Sequence, residues 1–139
     1  MKTYSDLIPL LQKKSAQIPQ YISEKMIEHG LVGLSPSHAE ILYYLLREGP
    51  LKMKVLSSRI NKDKSTLTAL VNKLIKQGYI YRQKSDQDSR SFIICLTKKG
   101  TGLKSVFDDI SRHLMADFFK PFSKKELYTM HELLSKIQV

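Results

Sequence analysis

The sequence predicts a mainly α fold with one small β-hairpin, and three observations carry that prediction. Apolar residues recur at helical spacing through most of the chain, including both ends. Only two runs, Tyr79–Lys84 and Ser91–Leu96, are rich in β-formers, and the polar turn formers Ser85–Ser89 separate them. The surplus charge lies in the part of the chain that holds this hairpin. From Pro50 to Gly100 there are 12 Lys/Arg and 3 Asp/Glu, a net of +9, against +10 for all 139 residues.

Taken in order, the first helical stripe is Ile8, Leu11, Ile18, Ile22 and Met26. Pro19 interrupts it and predicts a kink or a restart, because proline lacks an N–H and clashes with the preceding turn. Gly30 and Gly33 mark a loop. Ser35-Pro36 then opens a second helix as N-cap and first helical residue. Its apolar positions (Ala39, Ile41, Leu42, Leu45, Leu46) predict burial, and Gly49-Pro50 stops it. A short helix follows over about Met53–Ile60, and Asn61-Lys62-Asp63 is a tight connection. The next helix covers about Lys64–Gln77, capped by Asp63 and closed by Gly78, with its stripe at positions 67, 70, 71, 74 and 75. After the hairpin, Thr97 caps one long helix over about Lys98–Phe119, ended by Pro121. Ser123-Lys124-Lys125-Glu126 is a capping box that opens a last amphipathic helix.

The length fits one domain, or one domain with a dimerising extension. No apolar run approaches the roughly 20 residues of a membrane span. Met1–Asp6 lacks the charged flank and apolar stretch of a signal peptide. The single cysteine, Cys95, excludes an intrachain disulfide and fits a reducing compartment. A basic cytoplasmic protein with no membrane partner is expected.

Two short helices joined by a three-residue turn, then a basic hairpin, form the winged helix-turn-helix arrangement, here flanked by N- and C-terminal helices. The face of the second helix opposite its stripe presents Ser65, Ala69, Asn72, Lys73 and Lys76, with Thr66 and Thr68 on its flanks. Small and polar side chains can approach base edges, an Asn can pair with adenine, and lysines behind them can reach phosphates. A polar outer face is also what a purely structural helix carries in water. No acid occurs from Lys64 to Gln77, however, whereas a solvated helix usually mixes Glu with Lys. Arg82, Lys84 and Arg90 extend the basic surface along the hairpin. Neutralising phosphates with such a block releases counterions, so double-stranded DNA is the expected partner. The same charge also fits an interaction module for an acidic protein or RNA, and base-sequence selectivity separates the two.

The run from Leu56 to Ile80, the stretch Asp86-Gln-Asp-Ser-Arg90 leading to Leu96-Thr97 and Gly100, and Leu34-Ser-Pro-Ser37 together resemble the MarR family of bacterial transcription regulators. The resemblance implies a homodimeric DNA-binding regulator, expected to repress, acting on a pseudo-palindromic operator. Residues 1–33 and 101–139 would supply dimerisation helices around a DNA-binding domain at 34–100. It implies recognition roles for Lys64, Ser65, Thr66, Thr68 and Asn72, and a wing arginine at Arg90. Asp88 reads either as the partner that orients Arg90 or as a plain turn former. Two positions depart from the family pattern: Ser89 replaces an arginine in the wing, and Ala69 replaces a longer polar side chain. Relatives often hold a small aromatic effector beside the dimerisation helices, and Tyr21, His38, Tyr43 and Tyr44 are the candidates to line such a cleft.

Other chemistry finds little support. His29, His38, His113 and His131 are scattered without metal-ligand spacing. Cys95 lies in a strand, whereas peroxide-sensing relatives use a cysteine near the N-terminus, so a small core residue is the expected role. No nucleophile–base pair or phosphate-cradling glycine loop is present, so neither catalytic residues nor a cofactor are expected.

Overall fold

The computed structural model of the protein describes residues 4–88 and 90–138. A 3-10 turn at Tyr4–Asp6 leads into helix α1, Leu7–Glu28. The helix runs through Pro19 without the restart that the sequence predicts. One missing backbone bond does not outweigh continuous turns on both sides, and beyond it Ile22 and Met26 anchor the helix on the core. Helix α2, Pro36–Glu48, begins at Ser35 as expected, but its cap is reciprocal. The Ser35 hydroxyl accepts the His38 N–H (3.4 Å), and the Ser35 N–H donates to His38 Nδ1 (3.0 Å), so histidine fills the place usually taken by Glu or Gln.

Strand β1, Leu51–Lys52, precedes helix α3, Met53–Ile60. Asn61, at φ 52°, turns the chain toward helix α4, Lys64–Lys76. Strands β2, Ile80–Lys84, and β3, Phe92–Leu96, form the expected hairpin, but the sheet has three strands in the order β1-β3-β2, all antiparallel. Ile94 faces Leu51 on one side and Arg82 on the other. β1 is two residues long, too short for any alternation to announce it.

The long helix after the wing is divided. Helix α5 covers Lys98–Thr101 and helix α6 covers Lys104–Phe119. Between them the Leu103 N–H bonds the Gly100 carbonyl, a tighter i→i−3 turn (3.1 Å). Two glycines, the weakest helix formers after proline, stand at 100 and 102, and Leu103 is drawn into the core. Helix α7, Lys124–Ser135, opens with the expected capping box between Ser123 and Glu126.

One core joins these elements. Met26, Ile41, Leu42, Leu45, Leu56, Leu67, Val71, Leu74, Ile80 and Ile94 are fully buried, and Phe107 and Ile110 of α6 pack with them. Each such side chain contributes roughly 1.5–3 kcal/mol of transfer free energy. Helix α7 contributes no buried residue. Among the described residues no helix is long and apolar enough to cross a membrane.

Candidate nucleic-acid interface

Helix α4 is fixed at its start by Asp63, whose carboxylate accepts the Thr66 N–H (2.7 Å) and the Ser65 hydroxyl (3.0 Å). Those bonds, the Thr66 N–H first, hold the Asp63 carboxyl below its ordinary range. Burial of Leu67, Val71 and Leu74, with Leu70 and Ile75 half-buried, sets the rotation of the helix. Lys64, Ser65, Thr66, Ala69, Asn72, Lys73 and Lys76 are exposed and Thr68 is half-buried, so the outward face is the one the sequence predicts.

Several of these side chains are already engaged. The Thr68 hydroxyl donates to the Lys64 carbonyl (2.7 Å) and that of Ser65 to Asp63. Lys73 reaches back to the Gly33 carbonyl, tying α4 to the loop before α2. Arg82 of β2 donates to Asn72 Oδ1, tying α4 to the wing. Sequence reasoning missed both ties, because no local pattern links positions 40 or 10 residues apart.

On the wing, Arg82, Lys84 and Arg90 are exposed. Asp88 Oδ1 accepts the Arg90 backbone N–H (2.9 Å), and its carbonyl accepts the Ser91 N–H (3.1 Å) and hydroxyl (3.2 Å). That is the geometry of a turn former. Among the described residues no ion pair joins Asp88 to the Arg90 guanidinium; Ser89, the departure from the family pattern, lies outside the described residues. Arg59 of α3 is neutralised by Glu48, with Nη2 at 2.9 Å. Among the described residues none of the ion pairs involves α4 or the wing.

Of the four candidate effector-cleft residues, Tyr43 and Tyr44 touch each other, while Tyr21 and His38 bond separate partners. Tyr21 donates to Asp117 (2.7 Å) and sits edge-on to Phe118; burial, then that bond, pushes its hydroxyl up to about 12. His38 is 6% exposed and serves the α2 cap; among the described residues Nε2 has no hydrogen-bond partner, and burial, then Lys73, lowers its pKa. Tyr44 packs edge-to-face on Tyr43, whose hydroxyl accepts from Arg47 (2.8 Å). Tyr43 alone of the four lines a cavity of about 420 Å³ between α2 and α6, with Arg47, Lys104, Phe107 and Asp108 among its walls. Cys95 is buried in β3, its Sγ 3.8 Å from Gln83 Oε1.

Residues 25–91 match the model of the MarR family. The HTH-type transcriptional regulator SarZ of Staphylococcus epidermidis is 34% identical over 86 residues, 62% of this chain and 58% of that protein. SarZ of Staphylococcus saprophyticus is 38% identical over 71 residues, 51% of this chain and 49% of that protein. The chain thus spans about half to three-fifths of the length of these curated relatives. A MarR protein from Peptoclostridium difficile superposes with a TM-score of 0.85 at 21% identity, covering 97% of this chain and 86% of that one. The structure of reduced AbfR bound to DNA gives 0.72 at 23% identity, covering 94% and 88%. At these identities the solved structures establish the fold. The helix-turn-helix, wing and end helices assemble as the sequence patterns require, residues 25–91 match the MarR family model, and the chain has the winged helix-turn-helix fold of the solved MarR structures.

Proposed function

We propose that this protein is a sequence-specific DNA-binding regulator that acts in the cytoplasm as a homodimer on a pseudo-palindromic operator. The observation that carries the reading is the α4–wing surface: lysines, small polar groups and arginines, with no acid on the helix and, among the described residues, no ion pair to offset its charge. α4 enters the major groove, with Asn72, Thr66 and Ala69 at base edges and Lys64 and Lys76 at phosphates. Arg90 reaches the neighbouring minor groove, whose negative potential draws guanidinium groups. AbfR, a structural neighbour, was solved on DNA and supports the docking.

The end helices support the dimer. Tyr128, Leu133, Leu134 and Ile137 of the C-terminal segment are 74%, 56%, 46% and 60% exposed. Leu133, Leu134 and Ile137, with Leu7 and Leu11 of α1, line a largely apolar groove that a second copy would fill. Two recognition helices held about one duplex turn apart then read a palindrome. A dimer seated on a promoter excludes other proteins from it, so repression is the expected direction. A small aromatic effector entering beside Tyr43 would respace the recognition helices.

Selection from a randomised duplex library tests the reading. A palindromic site bound at least about 10³-fold tighter than random duplex is expected. Salt-dependent binding without any enriched sequence would instead indicate a module for acidic proteins or RNA.

A further inference from the structure

We propose that Arg82 is a positioning residue for base recognition, fixing the orientation of the Asn72 amide instead of gripping a phosphate. The inference rests on the DNA-binding reading above. An exposed asparagine offers an acceptor at one end of its amide and two donors at the other, and the two orientations present opposite patterns to a base edge. Arg82 removes that ambiguity. A guanidinium has donors only, so the Asn72 oxygen must face Arg82 and the NH2 group must face away from it.

The support of Arg82 is rigid. It sits in the middle of β2 opposite Ile94, which is fully buried and paired on its other side with Leu51. Gly78, at φ 83°, turns the chain so that β2 returns beside α4, and the Thr97 N–H holds the Tyr79 carbonyl (3.0 Å) at that turn. Among the described residues no carboxylate pairs with Arg82, so nothing competes with Asn72 for it. A cation on the amide oxygen also polarises the amide and strengthens its N–H groups as donors. The base beneath Asn72 is therefore read through an acceptor: purine N7, guanine O6 or thymine O4. Cytosine, which offers N4–H2 there, is rejected.

The test compares wild type, Asn72→Ala, Arg82→Ala, Arg82→Lys and the Ala/Ala double variant on a randomised duplex library, followed by titration of single-base variants. Asn72→Ala identifies the base position concerned. Arg82→Ala is expected to lower discrimination at that same position from about tenfold to below about threefold. Arg82→Lys, which keeps one donor and the charge, restores part of it, and the double variant discriminates no worse there than Asn72→Ala. Should Arg82→Ala fail to melt cooperatively, Arg82→Met keeps the apolar stem and removes the donors. Uniform weakening on every duplex with base preference unchanged would make Arg82 a phosphate contact and overturn the inference alone. A wild-type protein that enriches no sequence would overturn the regulator reading and this inference with it.

Discussion

Asn72 and Lys76 stand one turn apart on the exposed face of α4, and their chemistry divides their roles. Asn72 can distinguish base edges, whereas Lys76 is a point charge suited to a phosphate. Asn72→Ala should cost about 1–3 kcal/mol on the preferred duplex and relax preference at one base. Lys76→Ala should weaken all duplexes alike and reduce the salt slope by about 1, which titrations at several salt concentrations will measure. Identical behaviour of the two variants would refute the division. His38 carries a separate consequence for stability. Burial, then Lys73, lowers its pKa from 6.5, so the fold favours the neutral ring. The unfolded chain takes up the proton first, and the stabilisation is fully present above about 6.5 and lost as pH falls toward the folded-state pKa. Protonation also turns Nδ1 into a donor facing the Ser35 N–H. The urea midpoint should therefore fall between about pH 7.5 and about pH 5.5, and fall less in His38→Gln, which keeps a capping acceptor. Equal pH dependence in both proteins would clear His38.

At the scale of elements, the wing and α5 meet in close backbone contact at Gly100. A Cβ on Gly100 would lie 2.2 Å from the Tyr79 carbonyl oxygen and 2.9 Å from Leu96 Cδ2. The same carbonyl accepts the Thr97 N–H, and the Thr97 hydroxyl caps α5 through the Gly100 N–H (3.1 Å). Backbone must shift to admit a methyl group, so Gly100→Ala should lower stability by about 1–3 kcal/mol in denaturant titration. Gly102 already has helical backbone (φ −63°), and its added Cβ would lie 3.3 Å from the Lys99 carbonyl oxygen. Gly102→Ala should stay within about 1 kcal/mol of wild type. A reversed order would place the constraint at the helix break instead of at the wing. Both glycines are visible in the sequence, yet the helical stripe predicts one continuous helix through them. Stripe analysis weighs side-chain periodicity and does not register which backbone approaches which.

For the whole molecule, the core and the exposed apolar surface separate two tasks. Residues from Met26 to Ile110 build one core that runs from the end of α1 into α6 and does not need α7. Tyr128, Leu133 and Leu134 of α7, Phe122 and the start of α1 remain exposed. A chain lacking residues 122–139 should keep a cooperative melt but sediment as a monomer and bind a palindromic duplex more weakly. If the truncated protein stays dimeric, α7 is no part of the interface.

Composition and periodicity alone determined the helix-turn-helix, the hairpin, the capped starts of α2, α4 and α7, and the outward face of α4. Each depends on residues within a few turns of one another, where side-chain spacing and turn chemistry leave few alternatives. Tertiary structure decided which neighbours that face meets. Arg82 meets Asn72, Lys73 meets Gly33, and of the residues proposed for one cleft Tyr21 bonds Asp117 and His38 caps α2, while Tyr43 and Tyr44 pack on each other. The two-residue strand β1 exists because Ile93 and Ile94 of β3 offer it an edge. Such pairings depend on which distant backbones packing brings together, and a linear sequence carries no local signal of that distance.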